Sequence, residues 1–491
     1  MGLRVQTFRS PPPPEAFLPA LAWEPGTLLL RSQSFETPHA RYSILATDPF
    51  LVFRNRGSEC RLRTSDRAEV LYGNPWSILD TLLARYELLD EWDQPFPIGA
   101  AAGFWGYDLR CFVEPRLRTP PHADDEVSDS YVGFYDSLVV FDHRADEAHV
   151  VSTGMLPDGS RSDTRAENRL KSWDARFTRS TAQAFSQTTT QHPTVPGEIS
   201  SSLTRAEFIA RVLRIKDYIR QGDVYQVNLA QRLTADVPMA GPWLFDRLSQ
   251  VSPAPFAAFL QTGDFEIVSS SPELFLRLHD REVQTRPIKG TRPRSPDPTR
   301  DAQWTYELQT SPKEMSELVM ITDLLRNDLG RICEYGSVQV PELVRLERYP
   351  QVQHLVSTVQ GTLREGVSHF EALASCFPGG SITGAPKIRA MEIIDELEPV
   401  PRGPYTGSVG YVGFNRVSQL NIAIRTALCT PRRVHFHVGA GIVADSDPAA
   451  EYDETLAKAS GFMAALGRTH PRAAKSGTTV TPQPRPFHPP P

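Results

Sequence analysis

Cysteine is scarce and dispersed. Five occur in 491 residues (Cys60, Cys111, Cys333, Cys376 and Cys429), and none forms a CxxC pair. That excludes a zinc ribbon or a disulfide framework and fits a reducing compartment, with the five serving as small buried hydrophobes. Basic charge is not in excess: Lys and Arg total 52 against 58 Asp and Glu, a net charge of −6. A general nucleic-acid binder is excluded on that balance, and an anionic ligand must be met by local cationic groups. No apolar run reaches the length of a membrane span, and the opening MGLRVQTFRSPPPPEAF has no apolar signal core, so a cytoplasmic protein is expected. Fixed-period repeats and a strand–GxGxxG–helix dinucleotide loop are also missing.

What is present is an ordinary globular composition, 40% hydrophobic and 22% charged, on a chain long enough for one large core or two. Residues 1–175 mix short β-like runs (27–31, 42–46, 51–54, 137–141) with a helix over 75–88. Residues 176–202, rich in Ser, Thr and Gln, predict a linker. Residues 203–467 open on a helix in which Thr204 and Glu207 form a capping box. Its apolar residues are Phe208, Val212, Ile215 and Ile219, and Gly222 is its stop. Residues 468–491, ending in PQPRPFHPPP, predict a disordered tail.

Four groups of residues could carry chemistry. In SSSPELFLRLHDREVQTRPIKGTRPR, a strand from 273, a turn at His279–Asp280, a return strand over 281–286 and an irregular end at 287–291 put Glu273 and Lys289 on one rim. Arg286, Arg292 and Arg294 would disfavour a further positive charge, leaving Lys289 more often a free amine and thus a nucleophile; a solvated basic loop is the alternative. Two helices carry Glu-x-x-Glu, Glu314 with Glu317 and Glu451 with Glu454. Each pair shares a helix face and repels unless a cation compensates, so the pairs are either solvated faces or a Mg²⁺ site. Mg²⁺ keeps several waters, which points to Glu317 and Glu454 as direct ligands with Glu314 and Glu451 acting through water. The segments GGSITGAPK, GPYTGSVGYVG, NIAIRTA and GAG bring glycines together with Tyr405 and Arg425, either as hairpin turns or as a cradle for a carboxylate. His354 lies in a strand-like run, where a structural role and a proton relay both stay open.

These stretches together resemble the chorismate-utilising enzyme family. The likeness runs from about residue 200 to 467 through GDVYQVNLAQR, SSSPELF, RPIKGTRPR, KEMSELVMITDLLRNDLGR, HLVSTVQG, FPGGSITGAPKIRAMEIIDELEP, RGPYTGSVGY, NIAIRTA and GAGIVADSDPAAEYDET. A looser likeness covers LLLRS, ARYSILATDP and GFWGYDL. The resemblance implies an α+β fold in which large antiparallel sheets pack together with helices outside. Chorismate and Mg²⁺ would lie in a cleft of the C-terminal part.

The same resemblance implies roles. Lys289 would be the nucleophile and Glu273 the general acid, with a raised pKa from burial or anionic neighbours. Gly290, Thr291, His354, Thr383, Tyr405, Arg425, Gly439, Ala440, Gly441 and Lys458 would bind substrate. PIKGT, in place of the PIAGT of anthranilate synthases, points to the branch that makes 4-amino-4-deoxychorismate for 4-aminobenzoate and folate synthesis; the anthranilate synthase branch is the alternative. No GxCxG glutaminase elbow occurs, so a separate glutamine amidotransferase is the implied ammonia source. Family members can hold tryptophan, here matched by Ser32, His39, Ala40, Arg41, Tyr42, Pro255, Phe256 and Ala257. Arg31 stands where feedback-inhibited anthranilate synthases have Glu, which puts tight regulation in doubt.

Overall fold

A computed structural model describes residues 2–33, 40–117, 127–184, 199–237, 241–349 and 352–467. The expected tail and His39 lie outside the described residues. Two antiparallel sheets of 12 strands each form the centre. The first runs from Arg4–Arg9 at one edge, through Leu28–Arg31, Phe256–Gln261, Glu266–Ser271, Thr426–Cys429 and Val434–Ile442, to Gln226–Ala235 and Ile199–Ser201. The second begins at Ile288–Pro293 and Val352–Thr362. It passes through Glu282–Arg286, Leu274–His279, Val417–Ile422 and Ser408–Gly413, and ends on Ala100–Trp105 and four more N-terminal strands. Both sheets therefore take strands from residues before 160 and after 200.

Their facing surfaces make one core, in which Leu28, Ile44, Val140 and Ile267 of the first sheet meet Phe104, Tyr131 and Val409 of the second. Full burial of such side chains stabilises the fold by about 1.5–3 kcal/mol each. Helices cover the outer faces. Leu318, Ile321 and Leu325 of Pro312–Gly330 are buried; Ile321 and Leu325 pack with Phe275 and Val359 of the second sheet. Phe245 and Phe462 pack with Phe259 and Phe436 of the first. This is the α+β architecture that the resemblance implies.

Local signals hold where local forces decide. Helix Arg205–Gln221 has the full Thr204–Glu207 capping box and ends at Gly222 with φ 84°. The helix expected over 75–88 spans Pro75–Ala84, capped by Asn74. Two expectations are corrected. The linker expected over 176–202 starts too early, because helix Asp163–Ala184 continues through its first nine residues; Trp173 and Phe177 anchor that helix in the core. Residues 287–291 are not an irregular end: Ile288–Pro293 is a strand paired with Val352–Thr362, its register shifting between Lys289 and Thr291. Gly290, at φ 63°, is the bulged residue.

Candidate active site

The chain crosses between the sheets twice at one place. Glu266–Ser271 belongs to the first sheet and Leu274–His279 to the second, so Pro272 and Glu273 form the crossing. Val417–Ile422 belongs to the second sheet and Thr426–Cys429 to the first, so residues 423–425 form another. The crossings are tied together: Ile422 N donates to Glu273 O at 3.1 Å, and Ser270 N donates to Arg425 O at 2.9 Å. Glu273 and Arg425 thus lie at neighbouring points of transfer between the sheets.

Glu273 is buried, 5% exposed. Burial raises its pKa, opposed by a hydrogen bond from the Ser381 side chain, the charge of Lys289 and the backbone of Ile288. The net shift is upward, in the direction that the resemblance implies. Lys289 Nζ lies 3.5 Å from Ser381 O and 3.9 Å from Glu317 Oε2, its side chain 15% exposed. Ser381 touches both groups, and sequence reading missed it; within GGSITGAPK attention fell on the glycines and not on the hydroxyl. The expected crowd of positive charge around Lys289 is absent. Arg286 pairs with Glu347 at 2.5 Å, Arg292 with Glu314 at 3.4 Å and Arg294 with Asp301 at 2.9 Å. The charged group within 4 Å of the amine is a carboxylate.

Both Glu pairs flank this point. Ser311 caps helix Pro312–Gly330, which carries Glu314 and Glu317; Asp447 caps Pro448–Lys458, which carries Glu451 and Glu454. Burial raises the Glu317 pKa, with Glu314 and Glu454 adding to the rise against Lys289 and Lys313. Burial also pushes Glu454 up, but Lys458, Lys313 and Lys289 together bring it below the ordinary value. Lys458 Nζ is 2.7 Å from Glu454 Oε1 and donates to Gly439 O at 3.0 Å. Glu451 accepts from Ser446 Oγ at 2.6 Å and pairs with Lys313 at 3.4 Å. Lys313, next to Glu314 in sequence, was also missed.

Among the described residues no three His, Cys, Asp or Glu form a ready metal cage. Mg²⁺ does not need one, since it takes one or two carboxylates and keeps its waters. Hard oxygen donors on two helices, with Glu454 and Glu314 already raising the pKa of Glu317, fit such a cation.

The substrate-binding candidates surround the same rim. Thr291 Oγ1 is 2.8 Å from His354 Nδ1. Burial, with Arg425 nearby, lowers the His354 pKa to about 4, so its ring is neutral at pH 7. Burial also lowers the Arg425 pKa, and its guanidinium makes no ion pair among the described residues. Tyr405 stacks on His437, ring centroids 5.1 Å apart. A Cβ at Gly439 would meet the Tyr405 hydroxyl at 3.0 Å. Gly439, Ala440 and Gly441 lie within strand Val434–Ile442, opposite Ala230, Leu229 and Asn228, and not in a hairpin turn. Thr383 is buried, and its carbonyl accepts from Asn228 N at 2.9 Å.

A separate pocket is lined by Ser32, Tyr42, Pro255, Phe256 and Ala257 together with Arg31 and Arg277. Ala40 and Arg41 are not in its wall: Ala40 is fully buried, and Arg41 turns to Asp142 at 2.5 Å. Arg31 pairs with Glu15 at 2.5 Å.

The sequence pattern of the family described as chorismate binding enzyme matches residues 35–464. An aminodeoxychorismate synthase component 1 from Klebsiella aerogenes is 38% identical over 453 residues, 91% of this chain and 95% of the relative. An anthranilate synthase component 1 from Pseudomonas putida is 37% identical over 465 residues, 93% of each. The crystal structure of anthranilate synthase component I from Streptococcus pneumoniae superposes with a TM-score of 0.74 at 30% identity, covering 87% of this chain and 92% of that one. The chain belongs to the chorismate-binding enzymes.

Proposed function

We propose that the chain aminates chorismate at ring carbon 4, giving 4-amino-4-deoxychorismate in the cytoplasm, with ammonia delivered by a separate glutamine amidotransferase subunit. The observation that carries this reading is the meeting of the Lys289 amine and the buried Glu273, its pKa raised by burial, around Ser381. The nitrogen lone pair of Lys289 attacks ring carbon 2. The ring double bonds shift, and the carbon 4 hydroxyl leaves as water with the Glu273 proton. Ammonia then forms the new C–N bond at carbon 4, the double bonds shift back, and the lysine amine departs from carbon 2. The lysine leaves with the two hydrogens it brought, and the one proton lost by the incoming nitrogen returns to the carboxylate of Glu273.

Arg425, with the Gly439–Gly441 backbone, Tyr405, Thr291, Gly290 and Lys458, would grip the substrate carboxylates; neutral His354 would orient Thr291, and Thr383 would brace the loop carrying Ser381. Glu317 and Glu454 would hold Mg²⁺ directly, with Glu314 and Glu451 through water, and the ion would supply positive charge to a substrate carboxylate. Ser32, Tyr42 and Pro255–Ala257 would form a pocket for an aromatic ligand such as tryptophan.

The near-equal identity to aminodeoxychorismate and anthranilate synthases keeps anthranilate as the second reading. One assay separates them. Chorismate, Mg²⁺ and ammonium are supplied and the products resolved, with and without an added aminodeoxychorismate lyase. Lyase-dependent 4-aminobenzoate is expected; anthranilate as the main product rejects the proposal.

A further inference from the structure

Lys313 has no part in the reaction above, yet it stands among the carboxylates. Its Nζ is 3.4 Å from Glu451 Oε1, and its charge also acts on Glu317 and Glu454. Glu451 is 3% exposed and shares the same oxygen with Ser446 Oγ. Lys289 and Lys458 pair with Glu317 and Glu454. In this structure lysines therefore supply the positive charge that the glutamates require. The three lysines differ in freedom. Lys289 also donates to the Ser381 carbonyl, and Lys458 to the Gly439 carbonyl. Lys313 has no such second anchor among the described residues, and its side chain is 46% exposed. Its flexible four-carbon stem can carry the ammonium out to water.

We infer that Lys313 is a built-in counter-ion that competes with the divalent cation for the Glu317, Glu451 and Glu454 cluster. This rests on the reading of those glutamates as a Mg²⁺ site. Two cations serving the same carboxylates repel, so the lysine must swing out as the metal enters. Lys313 then has opposite effects in two states: it holds the helices Pro312–Gly330 and Pro448–Lys458 together without metal, and it weakens metal binding. A lysine of merely structural value would not show the second effect, because its loss would leave the site looser and the metal affinity equal or lower.

The test is calorimetric titration of Mg²⁺ alone into the full chain, without chorismate, with Tm measured in EDTA. Lys313→Met and Lys313→Gln both remove the charge, so that a folding defect in one does not end the experiment; Lys313→Arg keeps it. Glu454→Gln reports on the site itself. The neutral variants should bind Mg²⁺ about fivefold tighter or more, a figure discounted for the partial exposure of the lysine. Their metal-free Tm should fall, and Lys313→Arg should bind within about twofold of the parent. Equal or weaker Mg²⁺ binding by the neutral variants, with binding still lost in Glu454→Gln, overturns the counter-ion role alone. Mg²⁺ binding unaffected by Glu454→Gln, or no binding in any variant, removes the metal-site reading and this inference with it.

Discussion

A carboxyl that is to protonate a departing hydroxyl near neutral pH needs a raised pKa, and burial moves Glu273 in that direction. Glu273→Gln should lower kcat by roughly 10²–10⁴-fold. The parent should lose activity as pH rises through the raised Glu273 pKa, because the acid form is the competent one. The variant's residual rate should lack that alkaline limb in a kcat–pH profile. Arg425 bears a buried charge with no ion-pair partner among the described residues. A substrate carboxylate would complete it at about 1.5–3 kcal/mol for a charged hydrogen bond, so Arg425→Ala should raise KM for chorismate roughly 10- to 100-fold. At this scale the sequence was legible for chemical identity and opaque for surroundings. The arginines near Lys289 in sequence pair with Glu347, Glu314 and Asp301, and the amine instead faces Glu317.

Among elements, the two crossings between sheets bring Glu273 and Arg425 to one rim, and Arg402 binds the neighbouring pieces together. Its fully buried guanidinium donates to Glu398 at 2.7 and 2.9 Å, to Ile382 O at 3.0 Å and to Asn228 O at 2.8 Å. Glu398 in turn accepts from Ala230 N, opposite Gly439. Arg402→Ala strands that carboxylate in the interior and should cost about 3–5 kcal/mol in denaturant unfolding. Helix Arg205–Gln221 could be read from its own residues because capping acts over four positions. Strand Ile288–Pro293 could not, because its pairing partner begins at Val352 and its bulge hides the alternation.

For the molecule as a whole, buried His354 and His369 with half-buried His143 make stability depend on acid. Burial lowers His143, His354 and His369 to about 4 from an ordinary 6.5. Folded pKa values below the unfolded one mean that the stabilisation is full above pH 6.5 and is lost progressively as pH falls towards 4. Unfolding in urea at pH 7 and pH 5 should show the loss. His369→Gln, which removes a ring bonded to Ser418 and the Asp280 carbonyl, should make the pH dependence shallower. The shared sheets explain why a reading of two regions in sequence understates their unity: strands from before residue 160 complete both sheets that carry the site. Composition and local pattern carry no record of which distant strands will pair.

The proposed reaction passes through a covalent bond to Lys289, and intact-protein mass spectrometry tests it most directly. The full chain is mixed with chorismate and Mg²⁺ in the absence of ammonia. A mass gain of one chorismate less one water is expected, mapped to Lys289 by peptide digestion and absent from Lys289→Ala. An unmodified protein, together with a Lys289→Ala variant that aminates chorismate at the parent rate, would contradict it.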